Sequence, residues 1–261
     1  QDIFVEVGHG PTLIDNNIML SDASLRFATE GVALVHNLIC GALTCVGGGT
    51  GPRYTPYHMP HRTEVMGFMT VLHGDDRFYN NIFVQKWPSD DIITMHDSDD
   101  GFDTENRAAG TWMFDEYPTY DEWISQFDFS KPADMAKLYG AHEGKLPVWI
   151  EGNAYLGGAK PSKKDVNALI SAVAREDVRV ELVQKEDGYY LDTNVYELIE
   201  GFKNRMIDSD VLGKAFEPEE RFENPDGTAI RFDSDYFGTH RGVDVIPGPF
   251  ASKEEAAKKL Y

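Results

Sequence analysis

The segment LIDNNIML at residues 13–20 places Asn17 before two apolar residues, and the same pattern returns at Asn37 in LVHNLICG and at Asn81 in FYNNIFV. These asparagines are 20 and then 44 residues apart, and 44 is two steps of 22. A fixed period of this size is typical of a solenoid, and short β-branched runs between glycines favour β-coils over helical repeats. The pattern predicts a mainly β chain folded as a parallel β-helix, with one degenerate coil in the longer interval.

An asparagine that recurs at the same bend of successive coils can stack on its own copies. Its side-chain amide then bonds the backbone groups that the bend leaves unpaired. Asn153, in EGNAYLGG, is a fourth candidate for this ladder. We therefore expect coils over residues 1–84, an inserted region over residues 85–147, and a return to the β-helix over residues 148–175.

The later part of the sequence has a different pattern. Residues 161–175 indicate a short helix that Ser162 would cap. Alternating runs and an Asp-Gly turn predict a small antiparallel β-sandwich over residues 176–250. The charged run at residues 251–261 predicts a terminal helix.

The composition restricts the classes of partner. The chain has 24 basic and 44 acidic residues and a net charge of −20, so nucleic acid, which binds clustered Lys and Arg, is not an expected partner. No apolar run approaches the roughly 20 residues that span a bilayer, and no leader pattern opens the chain, so we expect no membrane segment.

Cys40 and Cys45 fit neither a redox pair nor a zinc set. We interpret them as small buried hydrophobes rather than a disulfide, which favours a cytoplasmic location and leaves secretion with a removed leader as the alternative.

The first residues, DIFVEV at 2–7, form a strand-like run with no polar cap ahead of it. An uncapped solenoid end exposes apolar surface and unpaired backbone groups. We therefore expect this chain to be the carboxy-terminal part of a larger fold, either completed by another polypeptide or cut from a longer precursor.

Acids one coil apart are natural candidates for catalysis in such a fold. Neighbouring strands lie about 4.7–4.9 Å apart, and the two carboxyls of a retaining glycosidase need about 5–5.5 Å between them. Glu6 and Glu30 are 24 residues apart, close to one coil. One would attack the anomeric carbon while the other, its pKa raised by the like charge, protonates the leaving oxygen. The alternative is that one or both are ordinary surface acids.

A second group of candidates lies in TPYHMPHRTEV and HGDDRFYNN. Aromatic, His, Asp and Arg side chains together are typical of sugar sites, which makes His58 and Arg77 candidate substrate ligands. An ion pair of Asp76 with Arg77 that closes a turn is an equal alternative. The Met-Pro between His58 and His61 disfavours a metal pair, and no third ligand is evident.

Cofactors are not expected from the sequence. The spacing of Asp97, Asp99 and Asp103 around Gly101 resembles a calcium loop but lacks the closing Glu, so calcium is a weak candidate. The glycine-rich run CVGGGTGPRYTP lacks the Lys-Ser/Thr ending of a phosphate loop. His9 and His36 flank the ladder, and a single histidine in such a position is interpreted first as a structural group.

Several strings of the sequence resemble β-xylosidases of glycoside hydrolase family 120. The resemblance is strong over residues 1–84 and looser beyond, and its strings are FVEVGHGPTLIDNNIMLSD, EGVALVHNLICG, TPYHMPHRTEVMG, GDDRFYNNIFV, GNAYLGGAKP and PGPF. It implies a right-handed parallel β-helix with an immunoglobulin-like sandwich, acting on β-1,4-linked xylose with retention of configuration. It also implies many preceding coils, and hence a second chain that supplies them and an oligomeric assembly.

The resemblance also implies roles for particular residues. The family uses an Asp nucleophile and a Glu acid/base one coil further on, and Glu30 corresponds to the acid/base. One coil before Glu30 this chain has no Asp, so Glu6 is the expected nucleophile and Asp15 the reserve. His9, with His58 and Arg77, would contact sugar hydroxyls.

Two other functions remain open from the sequence. Parallel β-helices also host polysaccharide lyases, which would need calcium or a basic residue, and basic groups are few here. A carbohydrate-binding or assembly subunit without its own active centre is the non-enzymatic alternative.

Overall fold

The structure, a computed structural model, describes residues 1–46, 54–86, 93–95, 105–128, 130–131 and 145–261. The calcium candidates and most of the glycine-rich run lie outside these ranges. The described part is mainly β, and its longest sheets are built largely from parallel strands. The predicted β class and parallel pairing are therefore confirmed.

The chain passes repeatedly through three sheets. The first sheet contains β1 (Ile3–Glu6), β4 (Ala23–Ala28) and β7 (Ala42–Val46), joined by β13 (Glu105–Ala108) and β12 (Ile93–Met95) as antiparallel strands. The second sheet is parallel, with β2 (Thr12–Asp15), β5 (Val32–Val35), β10 (Asp76–Tyr79) and β14 (Val148–Glu151). The third is also parallel, with β3 (Ile18–Met19), β6 (Leu38–Ile39), β11 (Ile82–Val84), β15 (Ala154–Leu156) and β16 (Leu169–Ile170).

The predicted asparagine ladder lies at the bend between the second and third sheets. The backbone N–H and Nδ2 of Asn17 both donate to Oδ1 of Asn37, at 2.9 and 3.1 Å. Asn37 donates in the same way to Asn81, at 2.9 and 3.0 Å. Asn81 in turn donates to Asn153, at 2.9 and 3.0 Å. All four predicted members are confirmed.

The residue before each ladder asparagine has a left-handed backbone. The φ angles are 52° at Asn16, 56° at His36, 55° at Asn80 and 73° at Gly152. Asn, His and Gly are the residues that most readily adopt this conformation, because a short polar side chain or a missing Cβ reduces its steric cost. His36 is fully buried, and burial holds its pKa well below the ordinary value, in agreement with a structural role.

The interval of 44 residues between Asn37 and Asn81 is one step of the ladder rather than two, because these asparagines bond directly. An antiparallel hairpin of β8 (Tyr54–His58) and β9 (Val65–Thr70) is inserted after β7. The predicted degenerate coil is therefore wrong. The inserted chain happens to add about the length of one period.

Beyond the coils, the described chain forms short elements. A 3₁₀ helix spans Trp112–Glu116, and α1 (Tyr120–Ile124) begins with a capping box at Thr119. Residues 161–175 contain β16 and the start of a 3₁₀ helix (Arg175–Asp177) in place of the predicted helix. Ser162 caps no helix: its Oγ donates to Oδ1 of Asp115 at 2.7 Å.

Residues 176–250 do not form the predicted sandwich. They contain two antiparallel pairs and two one-turn helices: β17 (Val180–Lys185) with β18 (Gly188–Thr193), β19 (Asn204–Arg205) with β20 (Asp244–Val245), α2 (Val195–Leu198) and α3 (Ser209–Leu212). Val180 and Leu191 of the longer pair pack in one cluster with Leu38 and Ile82 of the third sheet. The apolar face of this hairpin is thus covered by the coils, so no second layer is needed. The predicted terminal helix is present as α4 (Lys253–Ala256).

The interior between the sheets is apolar and fully buried. Leu34, Phe78 and Ile150, from successive strands of the second sheet, share one cluster. Cys40 and Cys45 are buried and not joined in a disulfide, and burial raises the pKa of each thiol to about 12. The interpretation of both as buried hydrophobes is confirmed. In the described ranges, no helix has the length and apolarity to cross a bilayer.

Candidate active site

Glu30 lies at a corner between β4 and β5 where three coils meet. Its backbone N–H donates to the carbonyl of Gly8, and that of Gly31 donates to the carbonyl of Gly74, both at 3.2 Å. Gly31 has a φ of +70°, and a Cβ there would lie 2.8 Å from the carbonyl oxygen of His9. The corner therefore requires glycine, whose absent side chain lets the backbones approach.

The Glu30 side chain is 1% exposed, and both of its oxygens accept hydrogen bonds. Oε1 lies 2.6 Å from Nδ1 of His9, and Oε2 accepts from the backbone N–H of Leu72 at 2.7 Å. Nε2 of His9 lies 2.6 Å from Oγ1 of Thr55. His9, predicted as a substrate ligand, is thus the direct partner of Glu30.

The charge state of His9 depends on this partner. Burial alone would lower the pKa of His9, but its hydrogen bond to Glu30 and the negative charges of Glu30 and Glu217 raise it above the ordinary value. A carboxylate beside an imidazole favours the imidazolium form. The charged form of His9 is therefore favoured in the folded protein.

Asp75 and Arg77 fix a loop over this corner. Oδ1 of Asp75 lies 2.8 Å from Nη1 of Arg77. Nε and Nη2 of Arg77 donate to the carbonyls of Leu212 and Lys214, at 2.7 Å each. We call residues 212–217 the Glu217 loop. Bonds that involve a guanidinium are stronger than neutral ones, so this loop is firmly held.

The placement of Arg77 favours the ion-pair alternative over a sugar contact. Its side chain is 3% exposed and its guanidinium carbon lies 4.5 Å from the ring centre of Trp149 and 4.7 Å from that of Phe222. The acid that pairs with it is Asp75 rather than Asp76, the partner expected from the sequence.

Replacing Arg77 by lysine should release the Glu217 loop. Lysine keeps the charge but cannot bond both carbonyls in the fixed geometry of a guanidinium, so we expect a loss of roughly 2 kcal/mol in the free energy of unfolding. Urea unfolding and limited proteolysis within the loop would measure this change.

The matched control is Arg205→Lys. Arg205 pairs with Glu151 at the surface, where its side chain is 53% exposed, so its loss should stay below about 0.5 kcal/mol. Equal losses in the two variants would contradict the assigned role of Arg77.

Glu217 is the residue of this cluster that the sequence analysis missed. The backbone N–H of Phe216 donates to Oδ2 of Asp75 at 2.8 Å, which holds the adjacent Glu217 at the corner. Glu217 is 7% exposed, and its Oε1 has no hydrogen-bond partner among the described residues. Burial, and then the charge of Glu30, raise the pKa of Glu217 to about 7. No local pattern signals this residue, because its position depends on the folded loop.

Two further carboxyls crowd the corner. Burial raises the pKa of Asp75 to about 6, despite the opposing charge of Arg77. Burial also raises the pKa of Asp76 well above its ordinary value, although Oδ1 of Asp76 accepts from the backbone N–H of Val32 at 3.2 Å. Buried acids that repel one another retain protons at higher pH. Burial and crowding therefore keep these carboxyls protonated to a higher pH than exposed acids.

A cleft of about 520 Å³ opens beside His9. Its walls include Val7 of the first coil and Tyr57 and His58 of the inserted hairpin. His58 is exposed, and its Nδ1 lies 3.2 Å from the carbonyl oxygen of Thr63. The structure thus brings His9 and His58, both predicted as substrate ligands, to one cleft with an aromatic side chain.

Neither Glu6 nor Asp15 occupies the position directly beside Glu30 on the preceding strand. Glu6 is exposed and its Cα pairs with Ala28, so the expected stacking on Glu30 is not formed. Glu6 and Glu30 are 24 residues apart, whereas the residue that neighbours Glu30 at this corner, Gly8, precedes it by 22. Asp15 pairs with Val35 at the far end of β2, and burial raises its pKa.

The histidines of the inserted hairpin are engaged with other partners. Nε2 of His61 lies 2.7 Å from Oε1 of Glu223. Among the residues that the structure describes, no group of three or more His, Cys, Asp or Glu side chains is placed to hold a metal ion.

A buried carboxyl cluster beside a cleft is an arrangement that can carry out acid–base chemistry on a small polar ligand. Within the solved structures, the chain is similar to the complex of XylC with xylose, at 29% sequence identity and a TM-score of 0.80. The match covers 99% of this chain and 37% of that chain, so this chain spans little more than a third of XylC. No family model matches the sequence, and no curated protein matches it.

Proposed function

We propose that this chain carries the catalytic corner of a glycoside hydrolase, a retaining exo-β-xylosidase that releases xylose from β-1,4-xylo-oligosaccharides. In this proposal the three sheets are the faces of a right-handed parallel β-helix. The observation that carries the proposal is the buried His9–Glu30 pair, surrounded by acids of raised pKa and adjoining the cleft. The similarity to a protein that binds xylose supports the choice of sugar.

Glu30 is the proposed general acid and base. It would protonate the leaving oxygen and later take a proton from the attacking water, as the acid/base of a retaining glycosidase does. His9 fixes the orientation of its carboxyl through the bond at 2.6 Å. Such orientation keeps the proton in line with the leaving group without reorganisation during the reaction.

Retention also requires a nucleophilic carboxylate. Glu6 is the proposed nucleophile, because it is exposed and precedes Val7, which lines the cleft. Asp15 is less suitable, since it lies at the far end of β2. His9, His58 and Tyr57 are the proposed contacts of the sugar, with the tyrosine ring offering an apolar face.

Hydrolysis of a nitrophenyl β-xyloside and of xylobiose by the purified chain tests this proposal. We expect release of xylose, first as the β-anomer in proton NMR, because retention preserves the configuration. An unsaturated product that absorbs in the near ultraviolet would indicate a lyase and contradict the proposal. Calorimetric binding of xylobiose without hydrolysis would contradict it in favour of a carbohydrate-binding subunit.

A further inference from the structure

The inserted hairpin contacts the His9–Glu30 pair from both of its ends. Thr55 lies near the start of β8, and its side chain contacts His9. Leu72 follows β9 by two residues and donates its backbone N–H to Oε2 of Glu30 at 2.7 Å. The backbone of Thr55 is itself fixed by pairing with Met69. Two strands that are joined to each other therefore hold the two members of the pair.

Thr55 places two oxygens at Nε2 of His9. Its Oγ1 lies 2.6 Å from this nitrogen and its backbone carbonyl oxygen 3.3 Å. A carbonyl oxygen can only accept a hydrogen bond, so this arrangement places a proton on Nε2. Thr55 and His9 are both buried, so little water competes for the contact.

The contact on the other side of the imidazole ring then requires a second proton. Nδ1 of His9 and Oε1 of Glu30 lie 2.6 Å apart. If Nε2 carried the only proton, Nδ1 and a carboxylate oxygen would both be acceptors and would repel each other at this distance. A proton therefore lies between them, on Nδ1 or on Oε1, and it belongs to the pair rather than to either residue.

We propose that Thr55 is a positioning residue for the acid/base centre: by holding one proton on Nε2 of His9, it keeps a second proton in the contact between His9 and Glu30. This inference rests on the proposed function, since it makes the second proton the one that Glu30 gives to the leaving oxygen. As the nucleophile bonds to the sugar, the electrons of the broken C–O bond stay with that oxygen, which takes the proton. In the second step the attacking water returns a proton to Glu30 as its oxygen bonds to the sugar.

The groups around His9 determine the direction of the effect. The negative charges of Glu30 and Glu217 and the carbonyl of Thr55 favour the protonated imidazole, and burial disfavours it. Removing the Thr55 hydroxyl takes away one acceptor and leaves the other groups in place, so the pair should lose its second proton at lower pH. The titratable side chains that contact His9, act on its charge or share its cleft are Glu30, Glu217, Tyr57, His58 and Glu220.

Nitrogen NMR of the histidine rings tests the inference without any substrate, with His9→Gln identifying the His9 signals. In the wild type we expect Nε2 of His9 to carry a proton on both sides of the titration of the pair. Thr55→Val keeps the shape of threonine without its hydroxyl, so the titration should move to lower pH by about one unit, a tenfold change in proton concentration. Thr55→Ser, which keeps the hydroxyl, should restore the wild-type value.

Thr63→Val is the matched control, because Thr63 is an exposed threonine on the same hairpin. Its His9 titration should equal that of the wild type. An Nε2 without a proton in the wild type would overturn the inference. So would equal titrations of His9 in the wild type and in Thr55→Val.

The pH dependence of kcat/KM for xylobiose connects the proton to the reaction. The alkaline limb should move with the NMR titration, to lower pH by about one unit in Thr55→Val and back in Thr55→Ser. A limb that stays in place while the titration moves would overturn the inference, because the proton that Thr55 holds would not be the one used. If the wild type hydrolyses no xyloside but its His9 titration still depends on Thr55, the proposed function fails while Thr55 still holds the proton.

Discussion

Replacing Glu30 by glutamine should lower kcat/KM for xylobiose by about 10²–10⁴-fold, the range that a positioned general acid or base contributes. Glutamine has nearly the same size and can still accept from the backbone N–H of Leu72, which bonds Oε2 at 2.7 Å. Its amide cannot carry the proton to the leaving oxygen. The loss should be smaller for the bond-breaking step of a nitrophenyl β-xyloside, because nitrophenolate leaves without protonation.

Added azide gives an independent readout of the same variant. In a retaining mechanism, water hydrolyses the covalent intermediate, and the base that activates this water is missing in Glu30→Gln. Azide is already anionic, so it should accelerate turnover of the nitrophenyl substrate by Glu30→Gln and yield a β-xylosyl azide. The wild type should show no comparable acceleration.

The control for Glu30→Gln is Glu181→Gln, an exposed acid on β17. Its activity should match that of the wild type. Urea unfolding must accompany both assays, because Glu30→Gln removes the counter-charge of buried His9. A folded Glu30→Gln variant that hydrolyses xylobiose at the wild-type rate would exclude Glu30 as the acid/base.

The asparagine ladder and the parallel sheets could be predicted from the sequence because their signal is local and repeated. Asn17, Asn37, Asn81 and Asn153 each precede two apolar residues, and the bend imposes the same hydrogen bonds on each. Spacing alone was less informative. The hairpin inserted between Asn37 and Asn81 has about the length of a coil, so counting residues could not distinguish an insertion from an extra turn.

Only part of the site could be predicted, for a related reason. His9 and Glu30 lie in strings whose residues and spacing carry the chemistry, and the structure joins them at 2.6 Å. The spacing of 24 residues between Glu6 and Glu30 suggested that the two side chains stack. In the structure the neighbour of Glu30 is Gly8, which precedes it by 22 residues. Glu217 was missed because its partners come from distant coils. A hydrogen bond between Phe216 and Asp75 brings it there, and no periodicity records such a contact.

The sandwich was predicted from real alternation in β17 and β18, but alternation does not identify the layer that covers the apolar face. Leu191 of β18 packs with Ile82 of the third sheet. A hairpin that packs against a separate parallel sheet has the same sequence pattern as one that lies in a sandwich. Only the long-range packing distinguishes them.

Replacing Asn37 by alanine should lower the free energy of unfolding by roughly 3–5 kcal/mol, since two or three buried polar groups would lose their partners at about 1–3 kcal/mol each. Asn37 is fully buried. Its Oδ1 accepts from both nitrogens of Asn17, and its Nδ2 donates to the carbonyl of Ile14 at 2.8 Å and to Oδ1 of Asn81 at 3.0 Å. Alanine fills none of these roles and leaves a space enclosed by polar groups. Urea unfolding monitored by circular dichroism would measure the loss.

Asn17→Ala is the matched control, because Asn17 makes the same ladder contact from a half-buried position at the first coil. Water can reach the groups that it leaves, so the expected loss is only about 1 kcal/mol. Equal losses at Asn17 and Asn37 would mean that burial does not determine the strength of the ladder.

Asn37 follows β5 and Glu30 precedes it, so the two corners lie at opposite ends of one four-residue strand. A ladder variant should therefore lower the unfolding midpoint while kcat/KM of the folded protein stays near that of the wild type, the reverse of the effect of Glu30→Gln.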